Sequence, residues 1–539
     1  LKEIKAGATS KTATFSSAVK TTLLTTTGTG NIALNNSFDG NLNFASGAGA
    51  TVTVADGFNF TGAITNATTN EGTLTLSGTT TVSGAVGSTG AGLQVINAGA
   101  SGRTATFTSD VTTTLMSTSG TGDIVLNGNF TGVLNIASGN TATIPLADGK
   151  NFTGTITNTT SDQGTLNVAG TSTFSDDVGS TTAGLNAVNI QGSGKTATFA
   201  GDLKATTTTI SNLATLKFSK ATPSVTGAIN SSGTGTLDIG TADVTVSGAV
   251  TLGASATLNI TVGDNNGSII ATASGISLQS GTTLVPTITG SITSGQAITI
   301  IQSNGAVTIP TITDNNLRLD FSVAQSSNDL TLTATTLSSS ALGLSGASAE
   351  VNDIIDTAFS GDTLLSELNG LSSNAELDTA LETLTPVVSG GAVIGAVSAG
   401  EAASSTVSSR IASLRTGISA GQGLSSGDEI AEDKSFWLQG FGTYAEQDKR
   451  EGIEGFFSTT GGVAYGVDRQ ISNAFLLGLA GSYAHTKVDT RLSKNATSVN
   501  SYQGFVFGSY EFDKNYFLDA QVGFAYNDVS RQLNVDHMS

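Results

Sequence analysis

From about Ser435 onward, apolar residues alternate with small or polar ones in run after run. Between Phe475 and Thr486 one alternate set is Phe475, Leu477, Leu479, Gly481 and Tyr483. The set between them is Leu476, Gly478, Ala480, Ser482, Ala484 and Thr486. Tyr516–Asn527 is cleaner, with Tyr516, Leu518, Ala520, Val522, Phe524 and Tyr526 set against Phe517, Asp519, Gln521, Gly523, Ala525 and Asn527. Successive side chains of a strand point to opposite faces, so each run offers one apolar face. Such a face, ten residues long with a tyrosine at each end, suits lipid outside and water or protein inside. Five strands are predicted, at about 435–445, 460–468, 474–487, 501–512 and 516–528. In the second, Val463, Tyr465 and Val467 oppose Gly462, Ala464, Gly466 and Asp468; the facing of the first and fourth stays open. These strands predict an antiparallel transmembrane β-barrel domain in an outer membrane.

Upstream the alternation is shorter, and it repeats. Lys11-Thr12-Ala13-Thr14-Phe15 returns as Arg103–Phe107 and again as Lys195–Phe199, each step being 92 residues. Asn59–Gly62 and Asn151–Gly154 keep the same spacing, as do Val86–Ser88 and Val178–Ser180. The third copy slips: Thr61–Ile64 reappears as Thr226–Ile229, a shift of 165 rather than 184. Nineteen residues have gone, yet Thr81–Val86 still recurs at Thr245–Val250. A solenoid tolerates loss of a whole coil because each coil touches only its neighbours. A coil of about 19–23 residues follows, with roughly four or five coils per repeat and three short strands per coil. The fold class is therefore all-β, a parallel β-helix over residues 1–338, very roughly 70–80 Å long at about 4.8 Å per coil. An array of β-sandwiches is the rival, and a 19-residue deletion would cost it two strands. Leu317–Val323 and Leu330–Ala334, about a polar turn at Ser326–Asp329, predict a hairpin that caps the solenoid edge.

After Thr336 the period becomes helical. Val351, Ile354, Ile355, Ala358 and Phe359 form one apolar stripe and Leu377, Ala380, Leu381 and Leu384 another. Ser373 with Glu376 three residues on reads as a capping box. A third segment, 400–415, is rich in Ala and Ser and carries Arg410 and Arg415 near its end. At about 22 Å it matches the apolar height of an outer-membrane barrel. It is read either as a helix threading a pore or as an exposed linker helix. Residues 339–433 form this connector, and 434–539 the partial barrel. Connections between the strands alternate long (446–459, 488–500) and short (469–473, 513–515). Outer-membrane barrels place long loops outside and short turns in the periplasm. The first strand then starts on the periplasmic side, the connector runs inward through the pore, and the solenoid lies outside the cell.

Composition narrows the chemistry. Charged residues are 12% and Cys 0, which removes disulfides and thiolate sites. A net charge of −19 with 22 Lys and Arg leaves no basic stripe for nucleic acid. No run of 18 apolar residues offers a transmembrane helix. No signal peptide is visible at Leu1, although an outer-membrane protein needs one, so the start is expected to be processed or missing.

The stretch Phe436–Gly442, containing Trp437, Phe441 and Gly442, resembles the start of the translocator domain of monomeric (type V) autotransporters. So do Gly466-Val467-Asp468, Leu477-Gly478 and Gly481-Ser482-Tyr483; Ser501 through Tyr510 and Tyr516–Asp519 resemble its fourth and fifth strands. Leu377–Leu384, Thr385-Pro386 and Ser409–Arg415 are similar to the family's pre-barrel region. The similarity covers roughly residues 310–539, which resemble the surface antigens of rickettsia-like bacteria; for the repeats only the style is similar. It implies Trp437, Phe441, Gly442, Gly466, Asp468, Gly478, Tyr483 and Tyr510 as a barrel signature and Arg410 and Arg415 as pore-helix residues. It also implies outer-membrane lipid and the barrel-assembly machinery as partners. The family's barrel has twelve strands, so five mark a fragment unable to close a pore. Some relatives cut themselves at an Asn-Asn pair where this chain has Val407-Ser408-Ser409-Arg410, so that chemistry is not expected here.

The repeats carry little catalytic material. The two histidines, His485 and His537, lie in the barrel segment, so no histidine-based triad or metal site is expected in the solenoid. Asp176-Asp177 is a candidate carboxylate pair, but adjacent strand residues face opposite ways and a solvated turn explains them. Asp264-Asn265-Asn266-Gly267 and Asp314-Asn315-Asn316 have calcium-like composition without a later acidic ligand; they read as turns. Asn43 and Asn135 read as stacked turn residues. The expectation is an autotransporter with no enzymatic activity, no cofactor and no metal, whose β-helical passenger acts as adhesin or structural surface antigen toward host-cell surface or matrix molecules. The alternatives are a carboxylate-dependent enzyme acting on polysaccharide and a non-binding stalk of a larger protein.

Overall fold

Short β-branched runs separated by Gly, Asn and Ser cannot bury an apolar face alone, and the chain meets this by stacking them. In the computed structural model, residues 1–532 are described apart from 46, 48, 138, 181, 264–269, 306, 315, 359–361, 385–389, 416–428, 432–433, 449, 451–454, 491–495 and 514–515. Two compact units result: Leu1–Ser338 with Ile355–Ser372, and Ser339–Ile354 with Ser373–Ser539. The first ends its main run at Ser338, but residues 339–433 divide between both units.

The first unit is a succession of short parallel strands wound as a β-solenoid with three faces. In one coil the inward residues are Phe38, Leu42 and Val54, all buried. Each belongs to a different column. Phe38 stacks under Phe60, Val82 and Phe107. Leu42 stacks under Ile64, Val86, Val111, Phe130, Phe152, Phe174 and Phe199. Val54 lies above Leu34 and Phe15. Phe15, Phe107 and Phe199 end the three copies of the same pentapeptide, so successive repeats sit on successive faces. The 92-residue period is thus four coils and one further face, between the four and five expected. Steps run from 19 residues (Val111 to Phe130) to 25 (Phe174 to Phe199), and reach 31 at Ile270–Ile301.

The third copy confirms the deletion at the level of pairing. Val111 pairs with Phe130 before Phe152, whereas its counterpart Leu203 pairs directly with Val225, the counterpart of Phe60. One coil is absent and the columns continue. Phe130, Phe152, Phe174 and Phe199 form a stacked ring column with centroid separations of 4.5, 5.9 and 4.7 Å. At one corner, Gly40 and Gly62 take φ of 151° and 129°, and a Cβ on Gly62 would lie 2.1 Å from the Gly40 carbonyl oxygen. Only glycine allows coils to stack that closely there. Asn43 and Asn135 do not lie in turns: both sit in strands, where they accept hydrogen bonds from Thr65 and Thr157 of the next coil (3.1 and 3.2 Å). Strand alternation places their amides outward, where the next coil's hydroxyl meets them.

Leu319–Ser326 and Asp329–Thr336 form the expected antiparallel hairpin, and the second of these strands closes on Ala297–Ser303. Beside it, Arg318 is fully buried and donates to Asn369 Oδ1 (3.1 Å). Among the described residues four helices follow: α1 (Gly346–Ala358), α2 (Thr363–Asn369), α3 (Asn374–Leu384) and α4 (Gly391–Arg415). α1 corrects the predicted stripe, because Ile354 is 60% exposed while Asn352 and Ile355 are buried. The Asn352 amide donates to Ser339 Oγ (3.3 Å), which makes a polar residue the better inward one. Phe359 lies outside the described residues. In α3, Leu377, Ala380 and Leu381 are buried as predicted, and Ser373 Oγ accepts from the Glu376 N–H (3.3 Å).

Replacing Phe152, the second ring of its column, by Ala should cost the solenoid about 3–5 kcal/mol through lost burial and an unfilled cavity. Chemical denaturation followed by circular dichroism checks this; a loss below about 1 kcal/mol would show that the column repacks.

Candidate functional site

The second unit contains a wall of five long antiparallel strands: Lys434–Gln447, Phe456–Ser472, Phe475–Thr490, Ala496–Asp513 and Tyr516–Gln532. Each neighbours the next in order, with Glu429–Ala431 a short addition at the first edge. All five are longer than their apolar alternation predicted, because polar alternating residues continue the ladders beyond the lipid-facing part. The connections still alternate in length, at 448–455, 473–474, 491–495 and 514–515.

One face of this wall is apolar and exposed. It carries Leu438, Val463, Tyr465, Val467, Leu477 and Leu479, with Val506, Leu518, Val522 and Phe524 continuing it. Tyr483, Tyr502 and Tyr526 stand side by side across three strands, with ring centroids 5.3 and 6.5 Å apart. Toward the other edge Phe475, Tyr510, Phe512 and Tyr516 form a second aromatic row. Tyr516 and Tyr526 are ten residues apart, about 33 Å along a strand. At a tilt of about 40° this becomes about 25 Å, the height of a barrel's apolar band between its aromatic girdles.

The opposite face is polar and carries α4. The strands left open by the sequence now have a direction: Trp437, Gln439 and Phe441 point inward from the first, and Ser501, Gln503, Phe505, Phe507 and Ser509 from the fourth. Trp437 lies over its cross-strand partner Gly466 and Phe507 over Gly478; a Cβ would meet those rings at 2.7 and 2.2 Å. The signature glycines therefore make room for inward aromatic rings. Trp437 and Phe507 meet edge to face at 6.4 Å and pack with Val407, Ile411 and Ala464. Gly442 faces outward opposite Gly461 and meets no comparable ring.

α4 has 25 residues and begins nine residues before the predicted start. Glycine-rich sequence there argues against a helix by propensity, but Gly391 and Gly395 are where the helix touches the wall. A Cβ on Gly391 would lie 2.6 Å from Val488 and one on Gly395 2.8 Å from Thr486. Arg410, 7% exposed, donates from Nε to Asp468 Oδ2 (3.0 Å) and from its terminal nitrogen to Asp468 Oδ1 (3.3 Å) and Ser435 Oγ (2.8 Å). Ser435 in turn donates to Asp468 Oδ1 (2.5 Å). Arg415 pairs with Asp519 (3.1 Å) and lies 3.5 Å above the Phe517 ring. The helix thus starts beside the long-connection ends of the strands and finishes beside their short-turn ends. Gln521, Ser404 and Ser408, absent from the predicted site, join the fifth strand to α4 at 2.6 and 3.1 Å. Only the inward alternation of Gln521 signalled this.

The other candidates do not gather into a site. Asp176 accepts from Ser175 Oγ (2.6 Å) and Asp177 from the Asp202 N–H (2.7 Å), in a bend. Asp314 accepts from the Asn316 N–H (3.2 Å), and burial pushes its carboxyl above the usual range. Residues 264–267, Asn315 and His537 lie outside the described residues. His485 faces outward, 2.9 Å from Asn500 Oδ1. Among the described residues there is no group of three or more His, Cys, Asp or Glu able to hold a metal, and no helix is long and apolar enough to cross a membrane.

The wall makes a direct prediction. An arginine at Leu479, in the middle of the outward apolar face, should destabilise the inserted wall by about 2–4 kcal/mol and reduce the heat-modifiable folded form on gels of outer membranes. An arginine at inward Thr443 should leave it unchanged; equal effects would contradict the assignment of faces.

Comparison with known proteins agrees with this arrangement. The family model described as Autotransporter beta-domain matches residues 436–538. Outer membrane protein B of Rickettsia prowazekii (strain Madrid E) is 32% identical over 108 residues, 20% of this chain and 7% of that protein. Outer membrane protein B of Rickettsia typhi (strain ATCC VR-144 / Wilmington) is 29% identical over 110 residues, again 20% and 7%. That of Rickettsia japonica (strain ATCC VR-1363 / YH) is 26% identical over 113 residues, with the same coverage. The chain's match therefore spans a small part of the length of these relatives. No solved structure matches the chain. The lipid-facing strand wall, the inner helix and the match to the Autotransporter beta-domain over residues 436–538 together support a type V autotransporter surface protein of an outer membrane, with the β-solenoid as its surface-exposed passenger.

Proposed function

We propose that the passenger acts as an adhesin or structural surface antigen toward host-cell surface or matrix molecules. The observation that carries this reading is the rotation of the repeats. Thr12 and Thr14, Thr104 and Thr106, and Thr196 and Thr198 alternate outward from three different faces, so one surface chemistry is offered in several directions. Repeated weak contacts of that kind gain avidity without any single deep site. The polar exterior and the structural hydrogen bonds that engage Asp176 and Asp177 also favour binding over turnover. Outer-membrane lipid and the barrel-assembly machinery are the partners proposed for the wall.

Deleting the passenger from the native protein should lower attachment of the bacterium to host cells, measured by counting bound cells, while leaving the barrel in the membrane. Unchanged attachment together with an intact surface coat would contradict the proposal. Hydrolysis of a polysaccharide by the passenger, lost on replacing Asp176 and Asp177, would replace it with an enzymatic role.

A further inference from the structure

The face that α4 turns to the wall is nearly featureless along most of its length. Gly391, Gly395, Ala399 and Ala403 are buried at intervals of four residues. Sliding the helix outward by four residues, about 6 Å, puts Gly395, Ala399 and Ala403 in the places of Gly391, Gly395 and Ala399, so only the place of Ala403 receives a larger residue, Val407. The polar contacts in the same region are also interchangeable: Gln521 reaches Ser404 and Ser408, themselves four residues apart. Val407 and Ile411 meet Trp437, Ala464 and Phe507 through apolar contact, which has no direction of its own. Along its N-terminal half, packing alone therefore gives the helix more than one near-equivalent depth.

Arg410 breaks that equivalence. Four residues to either side stand Thr406 and Leu414, neither of which can replace a guanidinium between Asp468 and Ser435. Moving Arg410 would leave Asp468, itself 4% exposed, as a buried and unpaired carboxylate. Arg415, partly exposed on Asp519 and Phe517, adds a second fixed point at the same end.

We propose that Arg410 is a positioning residue: with Asp468 and Ser435 it locks the depth of α4 along the barrel wall, so that tension on the exported passenger does not draw the helix outward. The inference rests on reading the wall as part of a membrane barrel. Two features make it measurable. The chain has no cysteine, and a Cβ on Gly395 would stand 3.7 Å from Thr486 Cβ, close to the mean of about 3.8 Å in disulfides.

In the full-length protein in outer membranes, the pair Gly395→Cys with Thr486→Cys should form a disulfide readily, and Ala399→Cys with Thr486→Cys poorly. An outward slide by one turn brings residue 399 opposite Thr486. Adding Arg410→Ala should raise the ratio of the 399–486 to the 395–486 cross-link by at least about tenfold. Asp468→Asn should do the same, while Arg410→Lys should retain most of the original ratio. Unchanged ratios in Arg410→Ala and Asp468→Asn proteins that still show the heat-modifiable folded form would overturn the proposal. Should Arg410→Ala fail to assemble, Asp468→Asn and Ser435→Ala decide the matter by the same ratio. Absence of a heat-modifiable form in the unmutated protein would instead refute the barrel reading.

Discussion

Main-chain pairing between neighbouring strands is the constraint on which both units depend. A strand alone pairs none of its N–H and C=O groups, and one at an edge pairs only half, so neither a solenoid coil nor a membrane hairpin can stand by itself. The passenger meets those groups in the coil above and below, as at Phe152 between Phe130 and Phe174. The wall meets them in adjacent antiparallel strands. The same pairing serves opposite solvents. In the solenoid Phe, Ile, Leu and Val point inward and Thr outward; in the wall Tyr, Leu and Val point outward and Ser, Gln and Asp inward.

Much of this was legible because strand alternation has a period of two that survives in plain sequence. Val463, Tyr465 and Val467 fell on the lipid side as read, and the solenoid's missing coil was visible as a shift of 165 against 184. Rotation of each repeat by one face was not legible. It depends on how many residues each corner consumes, and corners of different length still carry the same turn residues. Asn43 and Asn135 show the same limit: Asn favours turns, yet stacking strands can also use its amide, and composition does not separate the two.

The helix shows the reverse failure. Gly391 and Gly395 lower helix propensity, so sequence reading began α4 too late; close approach to the wall outweighs that cost. Arg410 and Asp468 were both picked out, one as a pore-helix residue and the other as part of the barrel signature. Nothing in the sequence joined them across 58 positions. Their partner Ser435 and the stack of Arg415 on Phe517 were missed altogether, because each depends on which edge of the wall the helix ends beside.

We propose a direction for the molecule: the long connections and the passenger on the outer side, the short turns toward the periplasm, and α4 running along the inner face of the wall. Single cysteines in this cysteine-free chain, labelled in intact cells with a membrane-impermeant maleimide, test it most directly. Cysteine at Thr106 of the passenger or at Asp448 in the long connection should label in intact cells, and cysteine at Asn473 in the short turn only after the outer membrane is permeabilised. Labelling of Asn473→Cys in intact cells, with Asp448→Cys protected, would contradict the account.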